Sequence, residues 1–144
     1  MKDRILVVDD HRDIADSLVR LLVTLGYDAR AVYDGQHAID VAAEYLPDMA
    51  FIDIGMPGFD GFKTAAGIRH KHECAHAILV ALTGYAQIDD RQRALQSGFD
   101  LHVPKPMNID TLTDLLTLLE PDAKDSTAGR ISRLSADLSH SGAA

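Results

Sequence analysis

The sequence predicts an α/β fold, a doubly wound parallel sheet of five strands with helices on both faces. Three observations carry this reading. Short apolar runs alternate with longer segments of helical periodicity along most of the chain. Several runs are rich in Val and Ile and bounded by turn residues, as buried strands are. The fourth, "AILVAL", is almost wholly apolar, which suits a strand covered on both faces.

The elements follow in order. "RILVVD" (4–9) is the first strand. Ile14, Leu18, Leu21, Leu22 and Leu25 then fall on one helix face, and Gly26 stops the helix as a glycine just past its end. "DARAVY" (28–33) is the second strand, followed by an apolar stripe of Ala38, Val41, Ala42 and Tyr45 that Pro47 ends. "DMAFID" (48–53) is the third strand. Phe62, Ala65, Ala66 and Arg69 suggest a third helix, weakened by Gly67. After "AILVAL" (77–82), residues 87–97 read as a polar helix ended by Gly98. "DLHV" (100–103) is the fifth strand, and Leu112, Leu115, Leu116 and Leu119 form the last helix, with Asn108 as N-cap and Pro121 beyond its end. Alternation of this kind implies right-handed crossovers and the flavodoxin-like strand order 2-1-3-4-5.

Residues 1–120 therefore read as one domain. Residues 121–144 are small and polar, with Ile131, Leu134 and Leu138 at helical spacing. Three apolar residues cannot supply a core, so this stretch is expected to be a disordered tail, dispensable for folding. A short helix induced by a partner is the other reading.

Composition narrows the function. Of 144 residues, 47% are hydrophobic and 25% charged, which suits a globular domain. Acidic residues outnumber basic ones 22 to 14, the formal net charge is −8 and no basic stripe appears, so nucleic-acid binding by this chain is not expected. Cys74 is the sole cysteine, so no intramolecular disulfide forms, which fits a reducing cytoplasm. The apolar runs are too short to span a bilayer, and the N-terminus does not read as a signal peptide.

The polar residues fall in a pattern. Ligands of open α/β sheets bind beyond the carboxyl ends of the strands, where the strand order reverses. Strand 1 ends in Asp9 and Asp10, strand 3 in Asp53, strand 4 runs into Thr83, and Lys105 follows strand 5. Three carboxylates in one pocket repel each other unless a cation intervenes. Oxygen ligands favour a hard ion such as Mg²⁺. A carboxylate beside a cation and a lysine can attack phosphorus to give an acyl phosphate. The charge on the transferring phosphoryl oxygens would then be met by Mg²⁺, the Lys105 ammonium, the Thr83 hydroxyl and backbone N–H groups near Gly55 and Gly84.

The segments "VVDD", "FIDIGMPGFDG", "ALTGYA" and "VPKP" together resemble the receiver domain of two-component response regulators, over residues 4 to about 119. The resemblance implies Asp53 as phosphoacceptor. It implies Mg²⁺, with Mn²⁺ as an alternative ion, held by Asp10, Asp53 and the Gly55 carbonyl, with Asp9 helping through water. It implies Thr83, Gly84 and Lys105 as phosphate-binding and switch residues, and a cis bond between Lys105 and Pro106. Where the family usually carries an aromatic switch residue, this sequence has His102, whose imidazole titrates near neutrality.

The function so implied is a phosphorelay switch. A histidine kinase or histidine phosphotransfer protein donates the phosphoryl group, and a downstream protein effector reads a changed surface around helix 4, strand 5 and helix 5. The chemistry is limited to self-phosphorylation and self-dephosphorylation. The chain is expected to be cytoplasmic, and a monomer or weak dimer. "ALTGYAQIDDRQRALQSGFD" also looks like receivers of hybrid histidine kinases, so the chain reads either as free-standing or as excised from one. Tyr85, two positions after Thr83, is expected to shield the acyl phosphate from water.

Two other functions fit these residues less well. An aspartate-nucleophile phosphatase would place a second acid where Gly55 stands. An FMN carrier would need a Ser-, Thr- and Gly-rich loop where Asp9, Asp10 and His11 stand. His70, His72, Cys74 and His76 match no standard zinc spacing, and a solvated helix end is the default there.

Overall fold

A computed structural model describes residues 2–56, 58, 60–84, 97–120 and 127–141. The strands are β1 (Arg4–Val8), β2 (Asp28–Val32), β3 (Met49–Asp53), β4 (Ile78–Thr83) and β5 (Leu101–Pro104). All neighbours run parallel, in the order β2-β1-β3-β4-β5. The helices are α1 (Arg12–Thr24), α2 (Gly35–Tyr45), α3 (Gly61–His70), α4 (Ile109–Leu116) and α5 (Thr127–Ser141). The expected polar helix over 87–97, all but its last residue, and Tyr85 lie outside the described residues.

Strand periodicity divides the core in two, because successive side chains point to opposite faces. Leu6, Val8, Ala50, Ile52, Leu79 and Ala81 face α2 and α3, meeting Ala38, Ala42, Phe62, Ala65 and Ile68. Ile5, Val7, Met49, Phe51, Val80 and Leu82 face the other way, onto Ala15 and Leu22 of α1 and Leu112, Leu115 and Leu116 of α4. β1, β3 and β4 are thus covered on both sides, and their near-continuous apolar sequence follows from that.

Local chemistry starts and stops the helices. Asp34, Asp60 and Asn108 each accept a backbone N–H from the first turn of α2, α3 and α4, at 2.7, 3.0 and 2.8 Å. Gly26 takes φ +101° just past α1, a region that favours glycine. Gly67 does not break α3. A Cβ there would run into the Ile39 side chain, so the glycine is what lets α2 and α3 approach.

The C-terminal stretch departs from the sequence reading. It is helical over Thr127–Ser141 rather than a disordered tail. Ile131 and Leu134 pack against the core layer that already holds Leu101, Val103 and Leu116, so they need no core of their own. Arg130 Nη1 donates to the Thr117 carbonyl at 2.8 Å, and Nη2 reaches the Leu118 carbonyl at 3.4 Å. A cation thereby meets the carbonyl end of α4, where the Thr117 carbonyl also accepts the Glu120 N–H at 3.1 Å.

Candidate functional site

The sheet delivers the polar residues to one edge. Asp9 follows β1 directly, and its N–H still donates to Val32 at 3.1 Å, so it stays in register with β2. Asp53 is the last residue of β3 and pairs with Leu82. Thr83 ends β4, and its carbonyl accepts the Lys105 N–H at 2.7 Å. Lys105 is thus placed by the same ladder that places Thr83.

Asp9 and Asp53 are buried, 1% and 5% exposed, and a buried carboxylate is costly unless its oxygens are met. They are. Asp9 Oδ1 accepts the His11 N–H at 3.0 Å, and Asp53 Oδ1 accepts the Gly55 N–H at 2.9 Å. The Lys105 ammonium bridges the other two oxygens, 3.3 Å from Asp9 Oδ2 and 3.1 Å from Asp53 Oδ2. Burial pulls the Lys105 pKa down, but its hydrogen bond to Asp53 and the charges of Asp53 and Asp9 outweigh this, and the net shift is upward.

Asp10 is different. Its Oδ1 is buried yet has no hydrogen-bond partner. The His11 ring nitrogen Nδ1 lies 3.3 Å away without hydrogen-bond alignment. Nδ1 is also 3.2 Å from Asp9 Oδ1. Asp9, Asp10, His11 and Asp53 each bring a ligand atom within 4.8 Å of the others, the only such grouping among the described residues. An orphaned carboxylate oxygen in a cluster of acids is what a divalent cation would satisfy, so the donor set fits Mg²⁺.

The remaining residues flank this cluster. The Thr83 hydroxyl is buried and reaches the Val103 carbonyl at 3.4 Å. Gly84 is half-buried and follows β4, and the Lys105–Pro106 bond is cis. His102 sits opposite Ala81, half-buried, while Leu101 and Val103 enter the core on the other face of β5. Gly61, at the start of α3, lies so close that a Cβ there would fall 2.5 Å from the Asp53 carbonyl oxygen.

His70, His72 and His76 are exposed, whereas Cys74 is buried with Sγ 3.5 Å from the Ala42 carbonyl. The thiol points into the core, away from the three imidazoles at the surface. His11 is the residue that the sequence reading passed over. A histidine after an acidic pair is also an ordinary start to a helix, and its ring position is set by backbone that spacing does not reveal.

Chemically, a buried carboxylate at a strand end, beside an ammonium and two more acids, can act as a nucleophile whose product charge is already met. A family model of the response regulator receiver domain matches residues 5–117. The response regulator MprA of Mycobacterium bovis is 34% identical over 142 residues, covering 95% of this chain and 61% of that protein. The chain thus spans about three-fifths of the length of the curated relatives it matches. Among solved structures, the chemotaxis protein CheY4 of Vibrio cholerae matches with TM-score 0.76 and 25% identity, over 81% of this chain and 98% of that one. The receiver domain of the sensor histidine kinase PA1611 of Pseudomonas aeruginosa, solved with a magnesium ion coordinated in its active site cleft, matches with TM-score 0.73 and 28% identity, over 81% and 96%.

Proposed function

This chain belongs to the response regulator receiver domain family, and from that premise we propose how its own residues carry a phosphoryl group. Asp53 is the phosphoacceptor. The observation that carries this is its burial at the end of β3 with Lys105 Nζ 3.1 Å from Oδ2. One Asp53 oxygen forms the bond to phosphorus as the bond from phosphorus to the donor's imidazole nitrogen breaks, and that nitrogen keeps the electron pair. Lys105 then meets a phosphoryl oxygen with the charge it held for the carboxylate. The Thr83 hydroxyl and the Gly84 backbone border the same edge and donate to the remaining oxygens.

Asp10, Asp53 and the Gly55 carbonyl would hold Mg²⁺, or Mn²⁺, with Asp9 acting through water, and the ion supplies positive charge to the phosphoryl oxygens. His102 takes the place of the switch aromatic on β5. The donor is a histidine kinase or a histidine phosphotransfer protein, and the reader is a downstream protein. The phosphorylated chain acts by regulation rather than turnover of a substrate, in the cytoplasm, as a monomer or weak dimer. Among the described residues no helix is long and apolar enough to cross a membrane.

The test is intact mass after incubation with acetyl phosphate and Mg²⁺. Wild type gains one phosphoryl mass and Asp53→Asn gains none. Equal modification of both would overturn the assignment.

A further inference from the structure

The geometry points to His11 as an additional metal ligand, one that shifts this site from Mg²⁺ toward divalent ions that accept nitrogen, such as Mn²⁺ and Co²⁺. The inference rests on the receiver reading of the same site and adds a selectivity to it.

The distances carry the argument. Two ligand atoms at about 2.1 Å from one ion and at right angles lie about 3.0 Å apart. His11 Nδ1 is 3.3 Å from Asp10 Oδ1, close to neighbouring corners of one octahedron, whereas its 3.2 Å contact with Asp9 Oδ1 is a hydrogen bond that the coordinating form would give up. Asp53 belongs to the same grouping, whose ligand atoms all lie within 4.8 Å. Opposite corners of such an octahedron are about 4.2 Å apart, so small side-chain adjustments seat the set on one ion.

Two further features favour coordination over a purely structural ring. Asp10 Oδ1, 3.3 Å from Nδ1, has no hydrogen-bond partner for a cation to displace. The His11 ring is 65% exposed and forms no part of the core, so it can turn toward an ion without repacking. In the coordinating form Nδ1 offers its lone pair and the ring carries its proton on Nε2. Mg²⁺ gains little from an imidazole and holds its waters, whereas affinity for nitrogen rises from Mn²⁺ to Co²⁺.

The experiment is calorimetric titration of the full chain and of His11→Ala with MgCl₂ and with CoCl₂, together with pulsed electron spin resonance of the Mn²⁺-loaded proteins. The expected result is a loss of about tenfold or more in Co²⁺ affinity for His11→Ala. Its Mg²⁺ affinity should change by less than about threefold, since that ion draws little from the ring. Wild type should show coupling of bound Mn²⁺ to a ¹⁴N nucleus, and the variant should not. Parallel losses for both ions, or no nitrogen coupling in wild type, would overturn the inference. Phosphorylation of wild-type Asp53 with Mg²⁺ tests the receiver reading separately. If that succeeds while cobalt selectivity is unaltered, only the role of His11 falls.

Discussion

Replacing Lys105 by Met keeps most of the side-chain stem and removes the ammonium. Three carboxylates and one ammonium then become three carboxylates alone, and the formal charge of the cluster goes from −2 to −3. At 3.1 and 3.3 Å, each ion pair is worth about 5 kcal/mol of gross attraction in an effective dielectric of about 20. Desolvation offsets most of it, and Lys105 is 28% exposed, which leaves a net loss of about 2–3 kcal/mol. For a chain of this size that is a fall of about 8–12 °C in Tm. Calorimetric melts of both proteins at pH 7, with and without Mg²⁺, measure it. An ion at about one hundred times its Kd adds about 2.7 kcal/mol to the protein that binds it. Removing the ammonium also raises affinity for the ion, so Mg²⁺ should lift the variant more than wild type and narrow the gap. A gap that is the same with and without Mg²⁺ would refute the electrostatic account.

Other outcomes follow from the same structure. Gly61→Ala places a Cβ against the backbone of Asp53 and Ile54, which cannot yield as a flexible side chain would; a loss of more than about 2 kcal/mol and slower acetyl phosphate labelling are expected, by denaturant titration and intact mass. Gly67→Ala gains about 1 kcal/mol of helix propensity but meets Ile39, so it should stabilise the protein only when combined with Ile39→Ala, as a double-mutant cycle would show. Tyr45→Phe removes the hydroxyl bond to Asp28 and should cost about 1 kcal/mol at pH 7. Burial, then the bond to Asp28, raises the folded Tyr45 pKa above 10.0; its contribution is therefore present below pH 10 and lost as pH rises through the folded value, and alkaline melts of Tyr45→Phe should slope less than wild type. Ending the chain at Glu120 should lower Tm by several degrees through loss of Ile131, Leu134 and Arg130, and an unchanged Tm would show that α5 contributes no stability.

The sheet was legible because its strands are covered on both faces, so runs such as "AILVAL" announce themselves without a partner. The convergence of Asp9, Asp53 and Lys105 was legible because acids at strand ends stand out against apolar sequence, and topology alone brings those ends together. What escaped depends on contacts between distant segments. Gly67 reads as a weakness in α3 until Ile39 is seen against it. The helical spacing of Ile131 and Leu134 is visible in α5, but three apolar residues read as too few to hold a helix, because periodicity cannot reveal that a finished core stands ready to receive them. Arg69 looks like one more residue on a helix stripe, although its guanidinium donates to the Ala75, Ala77 and Gly98 carbonyls and pairs with Asp100 at 2.9 Å. Backbone acceptors leave no trace in sequence.

That guanidinium has a mechanical meaning. Asp100 Oδ2 also accepts the Leu79 N–H at 2.9 Å, and the Asp100 N–H donates to the Leu79 carbonyl at 2.8 Å, so the entrances of β4 and β5 are riveted together around Arg69. The far ends of the same strands carry Thr83, about 13 Å from Leu79, and Lys105, about 16 Å from Asp100, at the usual rise per residue, and there too the strands are joined, by the Lys105 N–H to the Thr83 carbonyl at 2.7 Å. Strands joined at both ends behave as one plate rather than as separate levers. Arg69, remote from Asp53, thus braces the two strands that hold Thr83 and Lys105, and loosening it would soften the frame around the acidic cluster without touching a member of it.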